Sequence, residues 1–492
     1  MEVRDRYAPS PTGLQHIGGL RTALFNYLFA KSRNGKFILR LEDTDRARFD
    51  KLYVDNLYES FEWLGFHWDE GPDSGGPAAP YVQSERLGKY REHARRLIEN
   101  GHAYYCFCSA ERLDTLRRER EAGRSNEQGY DRHCRNIAPD EAARRTARES
   151  YTIRLKIPLG EKTVFNDALL GPVEWKNDDV SPDPVLLKSD GFPTYHLANV
   201  VDDHLMGITH VLRAQEWLSS TPLHTIMYRA FGWVPPVFCH LPMVMGQDGK
   251  KLSKRHGATS IDEFRKKGFL PDALLNYVAL LGASYEEGRE IYTPDELCAL
   301  FSLEKLNKAP AVFDYKKLEW YNARYIRMKT DAGLAALALP YAVRDGLFGE
   351  PGSPPDTRQL ALFNAAAPLV KERAVFLSDI PEKLAYLFSE PPVPETSEFI
   401  PKKSSLEDTR RLLNLGRSLT ARTAGSDDEG AERLAKETAE KEGVKLGDLL
   451  MPLRVAITGS RVSPPLFGSI RLLGAETCLA RIDRALEKLD RP

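Results

Sequence analysis

The stretch from Arg4 to Asp45 constrains the fold more than any other part of the chain. It begins RDRY, runs through PSPTGLQHIGG at residues 9–19, continues LRTALFNYLFAKSRNG and ends KFILRLEDTD. Two prolines and three glycines between residues 9 and 19 break any helix, while the prolines leave too little freedom for a floppy loop. Beyond them Leu20, Ala23, Leu24, Tyr27 and Leu28 recur at i, i+3, i+4, i+7 and i+8, the spacing of an amphipathic helix. Lys31 and Arg33 suit the negative end of its dipole, and Asn34-Gly35 stops it. Phe37 to Leu41 then reads as a buried strand leading into carboxylates. Strand, glycine turn, helix and strand make a βαβ unit with a right-handed crossover, so the chain must build a parallel, Rossmann-like α/β sheet.

Further along, Tyr53, Leu57, Phe61 and Leu64 mark a second helix, and a third runs from about Ser84 to Asn100, before Gly101. Residues 103–190 change character, with a cysteine cluster, a highly charged stretch and alternating strands such as YTIRLKIP. They are expected to form an α+β insertion within the α/β domain. The α/β pattern returns at 191–255, and the rest is helical, with proline-rich breaks at 351–355 and 391–394. The expected division is 1–102, 103–190, 191–255, 256–325 and an all-helical 326–492.

A chain of 492 residues, 42% hydrophobic and 28% charged, can bury sizeable cores. Its net charge of −1 excludes wholesale coating of nucleic acid and leaves room for a local basic face. The charged start, MEVRDR, has no apolar export signal, and no run of about 18 apolar residues suggests a membrane span. A cytoplasmic location with six reduced cysteines is expected.

Two segments carry chemistry. Gly13, Gly18 and Gly19 sit where a strand hands over to a helix, so backbone can approach a ligand where the helix dipole favours phosphate. His16 can donate a hydrogen bond to a phosphoryl oxygen there; its competing role is to cap the helix. The second segment is MGQDGKKLSKRHGA at 245–258. Lys250, Lys251, Lys254, Arg255 and His256 put five cationic side chains into seven residues, beside Ser253. These repel one another unless an anion joins them, which suits phosphoryl chemistry, where catalysis is mostly positioning and charge neutralisation. The alternative is a solvated loop.

A third cluster, Cys106-Phe107-Cys108 and, after 25 intervening residues, Cys134, suits tetrahedral zinc. Tyr130 and His133 are candidates for the fourth ligand, and a metal-free remnant is the alternative. Cys239, Cys298 and Cys478 are scattered and read as core thiols.

His16-Ile17-Gly18-Gly19 and Lys251-Leu252-Ser253-Lys254-Arg255 together resemble the two signatures of class I aminoacyl-tRNA synthetases. RYAPSPTG (6–13), LEDTD (41–45), Tyr81-x-Gln83-Ser84-Glu85-Arg86, YHLANVVDD (195–203), Val211-Leu212-Arg213 and LRVAITGSRVSPPLF (453–467) follow in order across nearly the whole chain. They resemble the glutamyl-tRNA synthetases of the bacterial type. The resemblance implies ATP-dependent activation of L-glutamate and its transfer to the 3′ end of tRNA(Glu), with tRNA(Gln) as an alternative acceptor and a monomeric enzyme. It implies that His16 and Lys254 stabilise the developing phosphoryl charge, with Lys251 and Ser253 assisting, and that Gly13, Gly18 and Gly19 join them around ATP and its Mg²⁺. It assigns Arg6, Ala8, Ser10, Glu42, Tyr195, Asn199 and Arg213 to glutamate. The arginines would take the side-chain carboxylate, where a guanidinium offers a bidentate fork, and Glu42 the ammonium.

The same resemblance implies that the insertion binds the acceptor end, 256–325 contacts the stem and 326–492 reads the anticodon, with Lys371 and Arg373 at its last base. Arg117, Arg118, Arg120, Arg124, Arg132, Arg135, Arg144, Arg145 and Arg148 supply the insertion's positive charge. Many relatives carry a histidine two residues beyond the third cysteine, where this chain has Asn136. The spacing Cys-x-Cys, Tyr-x₃-Cys resembles that of a shortened relative that charges a tRNA base, which implies Tyr130 as fourth ligand. A glutaminyl-tRNA synthetase would end in β-barrels, and a small-molecule nucleotidyltransferase with the same His-x-Gly turn would need no helical tail.

Overall fold

β1 (Arg4–Tyr7) and β2 (Lys36–Leu39) pair in parallel, Arg4 against Lys36 and Tyr7 against Leu39, with α1 (Ile17–Ser32) as the crossover. The computed structural model describes residues 2–123, 129–423 and 425–490. They divide into two compact units, residues 1–264 with 274–314 and residues 265–273 with 315–492. No helix among the described residues is long and apolar enough to cross a membrane.

In the first unit α2 (Lys51–Leu64) starts at an Asp50 side-chain cap and buries Leu57, Phe61 and Leu64. α3 (Leu87–Glu99) ends at Asn100, where Gly101 takes a left-handed conformation. The insertion holds β3 (Ala103–Cys106), α4 (Ala110–Glu121), α5 (Pro139–Thr146), β4 (Thr152–Leu155), β5 (Lys162–Asp167), β6 (Gly171–Lys176) and β7 (Val185–Leu187). Strands β3, β4 and β7 form their own antiparallel sheet. Then come α6 (Tyr195–Leu205), β8 (His210–Ala214), α7 (Thr221–Phe231), β9 (Val237–Leu241) and β10 (Val244–Met245). α8 (Ile261–Lys267), α9 (Pro271–Ala279), α10 (Pro294–Leu300) and β11 (Ala311–Val312) follow, and β11 pairs with β10.

Strands β8 and β9 run parallel, His210 against Val237 through Ala214 against Leu241. Thr209 N donates to Arg4 O at 2.9 Å, which ties β1 to the start of β8. β5 pairs in parallel with β9 at Asp167 and Phe238, and the β5–β6 hairpin extends this sheet. Part of the expected 103–190 insertion is therefore an edge of the central sheet. A parallel pairing to a distant strand leaves no mark on the local alternation of KTVFND.

α1 differs from the amphipathic helix its spacing predicts. The expected face is buried at Leu20, Ala23, Leu24 and Leu28, but so are Phe25 and Phe29 on the opposite side. Asn26 Nδ2 donates to Leu212 O on β8 at 3.1 Å. Phe25 meets Phe301, just past α10, with ring centroids 5.4 Å apart. A helix covered on both sides has no solvent face to show a polar stripe.

The second unit holds α11 (Tyr315–Met328), α12 (Asp331–Arg344), α13 (Thr357–Ala366), α14 (Asp379–Phe388), α15 (Thr396–Phe399), α16 (Leu406–Arg422), α17 (Asp428–Lys441), α18 (Leu446–Thr458), α19 (Leu466–Leu473) and α20 (Ala475–Asp490). Every regular element among the described residues from 326 onward is helical. Leu413 and Leu419 on α16, Leu453 and Ile457 on α18 and Ile482 on α20 share one core. The proline-rich breaks fall in the loops before α13 and α15. The segment 256–325, expected as one domain, is shared between the units. Residues 265–273 cluster with the second because Asn322 on α11 accepts from Leu270 N at 2.8 Å and donates to Gly268 O at 3.3 Å.

The burial of α1 on every side predicts that Phe25→Ala, on the face an amphipathic helix would expose, lowers unfolding free energy by about 3–5 kcal/mol in denaturant titration. A loss under about 1 kcal/mol would mean that this face is solvated.

Candidate active site

The site is assembled from the exits of β1, β2 and β8, the N-terminus of α1 and the loop after β10. His16 is the N-cap of α1: its extended backbone turns the chain into the helix, and its Nδ1 accepts from Gly19 N at 3.2 Å. With Nδ1 an acceptor, the neutral ring carries its proton on Nε2. Capping and donating to a ligand are therefore compatible roles for His16. A Cβ on Gly19 would stand 2.8 Å from the Tyr7 hydroxyl, and one on Gly18 3.1 Å from the His16 ring. These glycines accommodate the protein's own side chains. At Gly13 a Cβ would meet nothing within 4 Å.

His16 also forms an antiparallel bridge with Ser260, flanked by Ile17 N to Thr259 O and Ile261 N to Gln15 O, both 3.0 Å. The lysine loop is thereby anchored beside the glycine turn. The loop is a tight return, with Gly246 N on Lys250 O at 2.8 Å and Leu252 N on Val244 O at 2.9 Å. Its cations are partly neutralised from within, contrary to the expectation that they await an anion. Lys251 pairs with Glu216 at 2.6 Å and Arg255 with Asp248 at 3.2 Å. His256 reaches Asp248 through Nε2 at 3.0 Å, and Ser253 N donates to its Nδ1 at 3.0 Å. Lys254 has no salt bridge among the described residues.

All fourteen residues assigned from the sequence to ATP, glutamate or catalysis line one cleft of about 1350 Å³. Gly13, His16, Gly18, Gly19, Lys251, Ser253 and Lys254 form one part of its wall. Arg6, Ala8, Ser10, Glu42, Tyr195, Asn199 and Arg213 form another. The His16 ring opens onto the cleft with protein packed around it. Burial, with the Lys251 ammonium, holds its pKa below the ordinary value of 6.5 against the pull of Glu216.

The two arginines have opposite surroundings. Arg6 is held by both oxygens of Asp203, at 3.0 and 3.3 Å. Arg40, fully buried, bonds the same Asp203 at 2.7 Å and Glu42 at 2.8 Å. Burial raises the Glu42 pKa, and Arg40 works against it. Arg213 instead donates to His240 Nε2 at 3.1 Å, Tyr195 Oη at 3.3 Å, His224 Nδ1 at 3.3 Å, Thr221 Oγ1 at 2.7 Å and Trp217 O at 3.3 Å. Burial and Arg213 hold His196 at about 4, and His224 and His240 also lie below their usual value, burial being the main cause. Arg213 is thus a buried cation whose hydrogen-bond partners are all neutral near pH 7, and burial lowers its own pKa. Such a group favours an anion.

Sequence reasoning missed Arg40, Asp203, His224, His240, Thr221 and Asp167. Asp203 stands inside the YHLANVVDD segment, and asking what compensates Arg6 would have found it. Asp167 and His240 are 73 residues apart and carry no local signal.

The cysteine cluster assembles as expected, the Sγ atoms of Cys106, Cys108 and Cys134 lying within 4.8 Å of one another. The Tyr130 hydroxyl is 3.3 Å from Cys106 Sγ and 3.6 Å from Cys108 Sγ, while His133 is exposed. Three sulfurs and one phenolic oxygen at this spacing fit a tetrahedral ion.

Several expected RNA contacts have partners within the protein. Arg132 and Arg135 face Asp183, Arg145 pairs with Glu149, and Arg117 lies near Asp114 and Glu121. Arg118, Arg120, Arg144 and Arg148 are exposed, and Arg124 lies outside the described residues. In the second unit Lys371 pairs with Asp331 at 3.0 Å and the Arg373 guanidinium donates to Ser463 O.

The cleft's electrostatics predict how His16 titrates. Lys251→Ala removes a cation and frees the Glu216 carboxylate, so the His16 pKa rises. Glu216→Gln leaves the cation and removes the carboxylate, so it falls further below 6.5. Histidine NMR titration of the two variants checks the signs; shifts in one direction, or none, would place His16 outside the reach of both charges.

The family described as tRNA synthetases class I (E and Q), catalytic domain, matches residues 2–320, and an anticodon binding domain family matches residues 333–486. The glutamate–tRNA ligase of Treponema denticola is 55% identical over 99% of both chains. That of Borreliella burgdorferi is 49% identical over the same shares. A crystal structure of a glutamate tRNA ligase from Elizabethkingia meningosepticum in complex with its amino acid is 35% identical, with a TM-score of 0.88 and full coverage of both chains. Matches over both the catalytic and the anticodon-binding regions leave the nucleotidyltransferase alternative without support. With its α/β catalytic region, its helical C-terminal region and relatives of one kind that match over nearly the whole chain, the chain belongs to the glutamate–tRNA ligase family of class I tRNA synthetases.

Proposed function

We propose that the protein joins L-glutamate to the 3′ end of tRNA(Glu) through a glutamyl-adenylate, releasing AMP and pyrophosphate. The observation that carries this reading is the cleft itself. It lines an unpaired lysine and a neutral histidine along one part of its wall and a buried, carboxylate-free arginine along another.

ATP lies against Gly13, Gly18, Gly19 and the N-terminus of α1, and a Mg²⁺ ion accompanying it would offset the charge of its phosphates. The α-carboxylate of glutamate attacks the α-phosphorus in line, and charge builds on the phosphoryl and leaving oxygens. His16 Nε2–H and the Lys254 ammonium donate to those oxygens, with Lys251 and Ser253 beside them. Arg213 receives the side-chain carboxylate of glutamate, with Arg6 and the Tyr195 hydroxyl adjacent. Glu42, held by Arg40, takes the ammonium, while Ala8, Ser10 and Asn199 shape the pocket. A ribose hydroxyl at the tRNA end then attacks the acyl carbon and AMP departs. The exposed arginines of the insertion face the acceptor end and the helical 326–492 region the anticodon, where Lys371 and Arg373 would exchange their present partners for RNA. We also read the protein as a cytoplasmic monomer; its cysteines are free thiols, which fits a reducing compartment.

Zinc fits the Cys106, Cys108, Tyr130 and Cys134 donors. Bound there it would tie the end of β3, which carries Cys106, and the chain just beyond it at Cys108 to the 130–134 loop, a structural role.

Charging assays with purified tRNA(Glu) and tRNA(Gln) side by side test the function. Glutamate is expected on tRNA(Glu). Equal charging of tRNA(Gln) would mark a non-discriminating enzyme, and no charging of either would overturn the proposal. His16→Ala should lose about 10²–10³ in rate, the usual cost of removing one preorganised donor, with its unfolding transition intact; kept rate with lost cooperativity would leave His16 as a cap alone. Metal analysis of protein never exposed to chelator should find about one zinc per chain, and less than about 0.2 would rule the site out.

A further inference from the structure

Arg213 is oriented by a group that is itself oriented. His240, on β9, is fully buried, as is Asp167 at the end of β5. Asp167 Oδ2 accepts from His240 Nδ1 at 2.6 Å and from His240 N at 3.1 Å. Its Oδ1 accepts from Leu169 N at 3.0 Å and Leu170 N at 2.9 Å. Four N–H donors converge on this carboxylate, which therefore stays ionised. With Nδ1–H committed to Asp167, the neutral ring must present a lone pair at Nε2. That lone pair meets Arg213 Nε at 3.1 Å and Thr221 Oγ1 at 2.9 Å, and Thr221 Oγ1 in turn accepts from the Arg213 NH2 group at 2.7 Å.

We infer that Asp167 and His240 form a positioning relay that aims the Arg213 guanidinium into the cleft without neutralising it. This inference deepens the proposed function and rests on it, since it concerns how glutamate's side-chain carboxylate is received. A carboxylate bonded directly to Arg213 would cancel its charge, as Asp203 does for Arg6, whereas its present partners take its N–H donors without opposing that charge. Interposing one imidazole fixes the tautomer and the direction of the Nε–H bond while leaving the cation to the substrate. The reversed tautomer would set an Nε2–H against the Arg213 Nε–H and a bare Nδ1 lone pair against the Asp167 carboxylate. Asp167 lies outside every motif that resembles the family, and the β5–β9 pairing is what carries it to the site.

The test compares His240→Phe, which removes the acceptor at similar size, with His240→Gln, whose amide oxygen can reach the Nε2 position. In charging assays with intact tRNA(Glu), His240→Phe should raise the glutamate KM at least about tenfold, the order expected for losing a hydrogen bond to a charged group. The ATP KM should stay within about twofold, since the nucleotide wall is untouched, and His240→Gln should recover most of the loss. ¹⁵N NMR of histidine-labelled wild-type protein provides a readout independent of activity, with His240 protonated at Nδ1. A glutamate KM within about twofold of wild type in His240→Phe overturns the relay, because a positioning bond must be felt in substrate affinity. So does a parallel rise in both KM values with no recovery in His240→Gln, or a wild-type His240 protonated at Nε2. Failure of the wild-type protein to charge glutamate would overturn the proposed function instead, and the relay would then be decided by the tautomer alone.

Discussion

The site depends on a short piece of backbone pairing. Gln15 to Ile17 and Thr259 to Ile261 exchange two 3.0 Å hydrogen bonds about His16 and Ser260. Asn56 on α2 clamps the same junction, accepting from Gln15 N at 3.0 Å and donating to Asp262 at 2.8 Å. These contacts join the first turn of the α/β unit to the exit of the lysine loop, two segments at opposite ends of the catalytic half of the chain. With the bridge in place, a neutral imidazole and an unpaired ammonium face one cleft.

The second organising constraint is how buried charge is disposed of. Arg6, Arg40 and Arg86 each reach a buried carboxylate, Asp203 or Asp202, and Arg40 also grips Glu42. Ion pairs of this kind are costly to desolvate and costlier to break, so they hold geometry more than they add stability. Arg213 sits among imidazoles, hydroxyls and a carbonyl. Two arginines that the sequence presents as equivalent are thus an ion-paired brace in one case and a buried cation with neutral partners in the other.

Much of the site was legible because it is written in short, dense motifs. The strand exit, the glycine turn and the helix start are adjacent in the chain, and their residue types follow from turn and cap chemistry alone. The three cysteines also declared themselves by spacing, while the choice of Tyr130 over His133 came from the resemblance. What could not be read was anything decided by a partner elsewhere. The residue spacing of α1 predicts one apolar face, but the helix is covered on both sides. The lysine loop looked like bare positive charge, yet Asp248 within it and Glu216 outside it neutralise part of it. Arg132 and Arg135 resemble RNA-binding residues by type, but Asp183 bonds Arg135 and lies 3.8 Å from Arg132.

The sequence by itself determined the βαβ start, the helical C-terminal region, the cysteine cluster and the side chains that would meet in one cleft. Periodicity, capping and turn residues act between near neighbours, and the chain displays those directly. Only the tertiary structure decided which arginine is paired with a carboxylate and which has neutral partners, which ring nitrogen of His240 carries its proton, and that β5 joins the central sheet. Those outcomes depend on burial and on charges brought together from distant segments, and solvent screening and hydrogen bonding act on distances that exist only once the chain has folded.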